Sequence, residues 1–155
     1  MEHTFVRSAT FTRPANTTLY TALDVVGATA AALTFTSGGG SSAVFSVVGL
    51  EVQVNQATAS ATVFRLHLYS VTPPSALADN APFDLAAGDR ASYLGFIDTG
   101  TAVDLVSTNY AVSAAVDKMV RAAESSTIFG YLQAITGFTP ESAITASVHL
   151  YCKGQ

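Results

Sequence analysis

The stretch Val63-Phe64-Arg65-Leu66-His67-Leu68-Tyr69 alternates apolar and polar side chains with a period of two residues. Successive side chains of an extended strand point to opposite faces, so Phe64, Leu66 and Leu68 share one face and the side chains between them share the other. A period of two is the sequence signature of a β-strand. The stretch therefore predicts a strand that buries one face.

The same plan recurs near the C-terminus, in Ile144-Thr145-Ala146-Ser147-Val148-His149-Leu150-Tyr151, where the apolar members would face the core. Two strands of this kind predict a sheet with one buried face. Eight further segments are expected to be strands: Thr4–Thr12, Asp24–Ala28, Ala32–Thr36, Phe45–Asn55, Tyr93–Ile97, Tyr110–Val116, Lys118–Arg121 and Ile128–Ala134.

Turn-forming residues separate these segments. They are Pro14-Ala15-Asn16, the glycine-rich run 37–42, Pro73-Pro74, Asp98-Thr99-Gly100 and residues 137–140. Many short strands at this spacing predict an all-β protein, built as an antiparallel β-sandwich, a jelly roll or a barrel. One short helical turn is expected within Pro82–Ala91, with Asp84 as its N-cap and Gly88 limiting its length.

The length and the composition of the chain indicate how many domains it forms and what kind of surface it has. The 155 residues are expected to form a single β-sandwich domain, with residues 1–19 as an N-terminal arm or an edge strand. Charged residues make up 12% of the chain, against about 25% in average soluble domains. This composition favours a surface that neighbouring proteins cover, since charge is depleted at the centre of interfaces. The alternative is a free domain that is merely poor in charge.

The distribution of charged and apolar residues argues against two classes of partner. The net charge is −4 and the basic residues are scattered, whereas nucleic acids favour clustered Lys and Arg. The longest apolar stretch, Val44–Val54, is too short and too polar to span a bilayer. We therefore expect neither a nucleic acid nor a membrane as partner.

Cys152 is the single cysteine, so no internal disulfide is expected and the residue is read as a small buried side chain.

No motif for catalysis stands out. The sequence has no nucleophile elbow, phosphate-binding loop or zinc-protease motif, so we expect no enzyme, no catalytic residue and no cofactor. Two weak metal alternatives exist. His67 and His149 could meet if their strands paired, and Asp79, Asn80, Asp84 and Asp89 place oxygen ligands in one loop that could bind calcium. Surface histidines, caps and turns explain the same residues, so no metal site is predicted.

Several stretches, mostly turns and strand starts, form one pattern along nearly the whole chain: Phe11–Tyr20, Ala22–Gly27, Leu66–Tyr69 before Pro73-Pro74, Ala78–Phe83, Tyr93–Gly95, Phe129–Leu132 and Phe138–Ser142. In this order they resemble the auxiliary head proteins, of the capsid decoration or cement type, that tailed bacteriophages and prophages encode. The resemblance implies a jelly-roll-like sandwich made in the host cytoplasm and located on the outer capsid surface of the virion. It implies the major capsid protein and further copies of the chain, commonly as a trimer, as partners.

The N-terminal strand supplies the candidate interface residues Phe5, Arg7, Phe11 and Arg13. They alternate along the strand, so one face would carry aromatic and guanidinium groups, which are enriched at interface hot spots. The competing interpretation places the two phenylalanines in the core and leaves the arginines in solvent. Two other functions remain open from the sequence: a carbohydrate-binding β-domain, which the absence of Trp disfavours, and a tail or connector subunit of a phage particle.

Overall fold

The computed structural model describes residues 3–37, 44–113, 116–122 and 127–154. Within these ranges the secondary structure is almost entirely strand. The strands are β1 Thr4–Thr12, β2 Val25–Val26, β3 Leu33–Ser37, β4 Val44–Val54, β5 Val63–Tyr69, β6 Tyr93–Thr101, β7 Val103–Asp104, β8 Asn109–Val112, β9 Lys118–Arg121, β10 Ile128–Ala134 and β11 Thr145–Gly154. The expected all-β antiparallel sandwich is confirmed. The glycine-rich run 38–42 lies outside the described residues.

The strands form two layers joined at one corner. The first layer has the order β1-β11-β4-β8-β7, with β9 also paired to β4. The second has the order β6-β5-β10, with β2 also paired to β10. The corner strand is β3, which pairs with β1 through Thr36 and Ser37 and with β10 through Leu33–Phe35. On the far side β6 approaches β8, so the sheet is nearly closed and the molecule is barrel-like.

The core lies between the two layers and is built from the alternating inward side chains. Phe64, Leu66 and Leu68 of β5 are buried there, as the sequence predicts. They meet inward residues of β11 such as Val148 and Leu150. Cys152 continues that row and is buried too, which confirms its reading as a small apolar residue.

The strand predictions hold well, with four corrections. The segment 1–19 does not supply an edge strand, because β1 pairs with β11 over nine residues on one side and with β3 on the other. Residues 98–100 continue β6 rather than turning, and the short strand β7 was missed. The helical turn is a single 3₁₀ turn at Ala87–Asp89, which begins after Ala86 without a side-chain cap, so Asp84 is not its N-cap.

A long segment, residues 70–92, covers the outer side of the second layer, and we call it the cover. Its Leu77 and Phe83 pack on a second apolar cluster with Tyr69 and Tyr131 at its centre. The Tyr131 hydroxyl donates a hydrogen bond of 2.8 Å to the carbonyl of Ser75. Tyr69 and Tyr131 are therefore buried, whereas the outward Arg65 of β5 stays partly exposed.

His67 lies beneath the cover. Its ring stacks on Phe83, with centroids 3.6 Å apart and an interplanar angle of 11°. The Nε2–H donates to the Gln133 side-chain carbonyl at 3.0 Å, and Nδ1 accepts from the Tyr93 hydroxyl at 2.9 Å. These partners suit the neutral ring. Burial lowers the pKa of His67 to about 4, because the apolar surroundings disfavour the charged form.

The buried His67 predicts a pH-dependent stability. The unfolded chain binds a proton at this ring near pH 6.5, whereas the folded protein does so only near pH 4. The neutral ring's contribution to the free energy of unfolding is fully present above pH 6.5. It is lost as the pH falls toward 4, and the free energy of unfolding decreases by at most about 3 kcal/mol. Urea unfolding across this range should show the decline, and His67→Gln should flatten it while His3→Gln leaves it intact. An unchanged slope in His67→Gln would show that the ring is not held neutral.

In the part of the chain that the structure describes, no helix is long and apolar enough to cross a membrane.

Candidate interaction surface

The two layers differ on their outer sides. The cover encloses the second layer, whereas the first layer presents a bare sheet surface formed by the outward side chains of β1, β4, β8, β9 and β11, which we call the open face. Most of its members are Ser, Thr, Val, Tyr or Gln. A charge-poor sheet surface of this kind suits contact with another protein. It is not flat throughout, because a hollow of about 640 Å³ is lined by Ser46, Val48, Asp117, Met119 and Lys153.

An apolar belt crosses the open face. Val6 on β1 stands opposite Tyr151 on β11, and Tyr151 stands opposite Gly49 on β4, next to Val48. The belt continues toward β8 and β9. Its members Val6, Val48, Val112, Met119 and Tyr151 are all exposed. Scattered exposed apolar residues need no explanation, but neighbours on adjacent strands form a patch, and such patches mark interaction sites.

The belt depends on a β-bulge in β4. The register with β11 shifts between Tyr151 and Cys152, so Val48 is an extra residue between Gly49 and Val47. Val47 and Leu50 both face the core, which strict alternation would forbid, and the extra residue allows this by turning Val48 outward. The bulge thus places an apolar side chain at the centre of the open face.

Beyond the belt, toward the C-terminal end of β1, three pairs of side chains that include hydroxyl groups join β1 to β11. Ser8 Oγ lies 2.7 Å from His149 Nδ1, and Thr10 Oγ1 lies 3.2 Å from Ser147 Oγ. The hydroxyls of Thr12 and Thr145 are 3.4 Å apart. Cross-strand pairs of this kind fix the side chains of a sheet surface. These hydrogen bonds hold the side chains of the open face in place.

Glu51 is the acidic group at the centre of the open face, and neighbouring side chains stabilise its ionised form. Its carboxylate accepts hydrogen bonds from the hydroxyls of Tyr151 at 2.8 Å and Tyr110 at 3.1 Å, and from the Gln53 amide. Burial alone would raise the pKa of Glu51, but these donors outweigh it and the net pKa is lowered. The carboxylate is ionised at neutral pH, and its hydrogen bonds rigidify the belt at Tyr151.

Ser8, His149 and Glu51 stand opposite one another on three adjacent strands. Their residue types match those of a hydrolytic triad, but their geometry does not. The carboxylate is bound by Tyr110 and Tyr151, and its contact with His149 is an electrostatic attraction. The three strands are paired on both sides here, so their backbone N–H groups serve the sheet ladder instead of forming an oxyanion hole. The row fits a structural role better than acyl transfer.

All four interface candidates from the sequence point inward, three from β1 and Arg13 from the position directly after it. Arg7 and Arg13 are 0% and 2% exposed, and Phe11 is also buried, while Phe5 is half-buried at the rim. Both sequence interpretations of the arginines are therefore corrected in this chain: they line neither a surface for a partner nor a solvated face. The Arg7 guanidinium lies 4.4 Å from the centre of the Phe45 ring, and burial lowers its pKa.

Arg13 joins the end of β1 to two distant segments. Its Nε donates to the Tyr20 hydroxyl at 2.9 Å, and its Nη1 donates to the backbone carbonyls of Asn16 and Glu141. Its Nη2 lies 3.6 Å from the carboxylate of Asp79, which belongs to the cover. A fully buried guanidinium with this many acceptors organises the fold around it.

Neither metal alternative is supported by the described residues. His67 and His149 lie on the outer sides of different layers, because β5 pairs with β6 and β10 whereas β11 pairs with β1 and β4. Asp79 is engaged by Arg13, and Asp89 accepts the Ser75 N–H at 3.1 Å. Across the ranges that the structure describes, no three His, Cys, Asp or Glu side chains come together to hold a metal ion.

The belt itself was missed by sequence reasoning. Val48, Val112 and Met119 lie in apolar stretches that read as core, and only the bulge and the strand pairing turn them outward. One signal was present: in Val44–Val54 the apolar positions change parity at Gly49, a residue common at bulges.

Comparison with known proteins gives little more. No protein-family model matches the chain, and no curated protein matches it. Among solved structures, a chain from the acidic stable capsid structure of Helicobacter pylori bacteriophage KHP30 is similar, with 14% identity and a TM-score of 0.32, over 99% of this chain and 93% of that chain. A similarity of this size does not establish a shared fold or role.

The position of Arg13 predicts a large effect on stability. Arg13→Met should lower the free energy of unfolding by about 3–5 kcal/mol, because it removes the cation from a buried pair and leaves Asp79 without it. Arg121→Met, at an exposed position of β9, is the control and should change stability by less than about 0.5 kcal/mol. Chemical denaturation measures both. Equal free energies of unfolding for the two variants would show that the buried contacts of Arg13 do not stabilise the fold.

Proposed function

We propose that this protein is a structural virion protein, a decoration protein that lays its open face on the outer surface of a bacteriophage capsid lattice. The main support for this proposal is the difference between the two outer sides of the sandwich. The cover encloses most of one outer side, where Phe96 of β6 remains exposed, whereas the chain leaves the other side as an uncovered, charge-poor sheet with an apolar belt. The resemblance of the stretches from Phe11–Tyr20 to Phe138–Ser142 supports the same role.

The proposed role is not enzymatic. A decoration protein binds many copies of one lattice, so modest contacts gain strength by multivalency and no deep pocket is needed. The fixed hydroxyl pairs and the Glu51 cluster provide a rigid surface for such contacts. The proposed partners are the major capsid protein and other copies of this chain, and the proposed location is the virion surface.

Binding to capsids that lack the protein tests the proposal. The purified protein should co-sediment with them, and Val48→Lys should weaken binding at least about tenfold, since it places a charge in the centre of the contact. The matched control is Val71→Lys in the cover. The two valines have similar exposed fractions, 39% and 45%, but lie on opposite sides of the sandwich.

Three outcomes would count against the proposal. Equal loss of binding in Val48→Lys and Val71→Lys would remove the open face from the contact. Absence of binding together with ring-shaped particles in electron micrographs would favour a tail or connector subunit. Specific retention on a glycan array would favour the carbohydrate-binding alternative.

A further inference from the structure

A closed set of contacts couples the ring of His67 to the cover. The Gln133 side chain accepts the His67 Nε2–H at 3.0 Å, and its own amide donates to the carbonyl of Leu23 at 2.9 Å. The same carbonyl accepts the N–H of Phe83 at 3.0 Å, and the Phe83 ring stacks on the His67 ring. The position of Phe83 and the protonation state of the imidazole therefore depend on each other.

This set of contacts fixes the neutral form of the ring. Because the Gln133 amide nitrogen donates to Leu23, its oxygen faces Nε2 of His67, which must carry the hydrogen. Nδ1 then accepts from the Tyr93 hydroxyl. A charged ring would need that hydroxyl to turn and accept instead, and it would lie without water beneath Phe83, where His67 is only 4% exposed.

The other charged groups around the ring act in opposite directions. Arg65, on the same face of β5, disfavours protonation of His67, whereas Asp98 on β6 favours it. Arg65 and Asp98 are joined by hydrogen bonds of 2.6 and 2.8 Å. Asp84, which follows Phe83 in the cover, is exposed. Burial beneath the cover is therefore the main reason why the ring stays neutral.

The part of the cover around Phe83 is attached outside the core. The Phe83 N–H donates to the carbonyl of Leu23, and the Val25 N–H of β2 donates to the carbonyl of Ala81 at 2.8 Å. The Phe83 side chain packs on the outer apolar cluster, which is separate from the core between the layers. Local openings of such segments cost less free energy than global unfolding. This part can therefore leave the second layer while β11 remains paired with β1 and β4.

We propose that acid releases the cover around Phe83: proton binding at His67 requires Phe83 and its neighbours to leave the ring, so acidification favours a form in which they are lifted. In this lifted form water reaches the imidazole, and that part of the second layer is uncovered. The first layer keeps its pairing. The release does not require a capsid, so it stands or falls independently of the proposed decoration function.

The size of the effect follows from the linkage between proton binding and opening. In the lifted form His67 binds a proton near pH 6.5, whereas in the closed form it does so only near pH 4. The closed form is therefore favoured above pH 6.5 and loses this advantage as the pH falls toward 4. Between pH 7.5 and pH 5 the ratio of lifted to closed molecules should rise about 30-fold.

Amide hydrogen exchange of the full chain, followed by NMR and corrected for intrinsic rates, tests the release. The Phe83 and Val25 amides, which donate to Leu23 and Ala81, report on the closed cover, and the Val148 amide reports on β11. The opening equilibria of the first two amides should exceed that of Val148 at every pH. They should also rise about 30-fold between pH 7.5 and pH 5.

Two histidine variants show which group carries the response. His67→Gln places a neutral side chain beneath the cover, so the Phe83 amide should lose its pH response. His149→Gln is the matched control, because His149 also lies two residues before a tyrosine but belongs to the open face, and it should keep the response. Asp79, which joins the cover to Arg13, is unchanged in both variants, so a response carried by that carboxylate would persist in His67→Gln.

An NMR titration of the imidazole is a second measurement that does not depend on the His67 variant. In the wild type, His67 should titrate with a pKa of about 4. In Phe83→Ala the pKa of His67 should rise toward 6.5, because water reaches the ring once the stacked side chain is removed.

Three results would overturn the inference. They are equal opening equilibria for the Phe83 and Val148 amides, a pH response of the Phe83 amide that persists in His67→Gln, and a pKa of His67 that is unchanged in Phe83→Ala.

Discussion

The whole structure depends on the pairing of β11 with a strand on each side. It pairs with β1 and with β4 over nine residues each. Because side chains alternate along a strand, this one register determines which residues of all three strands face the core and which form the open face. A shift by one residue would expose Val148 and Leu150 and bury His149 and Tyr151. The β-bulge at Val48 preserves this register while it adds an apolar side chain outside.

Alternation in the sequence was enough to predict most strands, including the bounds of β1, β5, β9 and β10, and therefore the all-β sandwich. The candidate site was not predictable in the same way. Arg7 and Arg13 are core residues because Phe45, Glu141 and Asp79, which are far away in sequence, supply their contacts. No local pattern encodes such partners, and an alternating arginine looks the same whether it faces solvent or a buried acceptor.

The difference between the two outer sides has the same origin. The outward faces of β5 and β11 look alike in sequence, each with a histidine two residues before a tyrosine. The cover encloses His67 and Tyr69, whereas His149 and Tyr151 stay on the open face. The proposed decoration role rests on this difference, because the uncovered and charge-poor side is the one offered to a partner.

The most direct measurement is hydroxyl-radical footprinting of the protein, free and bound to capsids, read by mass spectrometry. In the free protein Met119 and Tyr151 on the open face, and Leu77 in the cover, set the reference rates of oxidation. The account predicts that binding protects Met119 and Tyr151 and leaves the cover unchanged. Protection of the cover, with Met119 and Tyr151 still oxidised at their free rates, would contradict it.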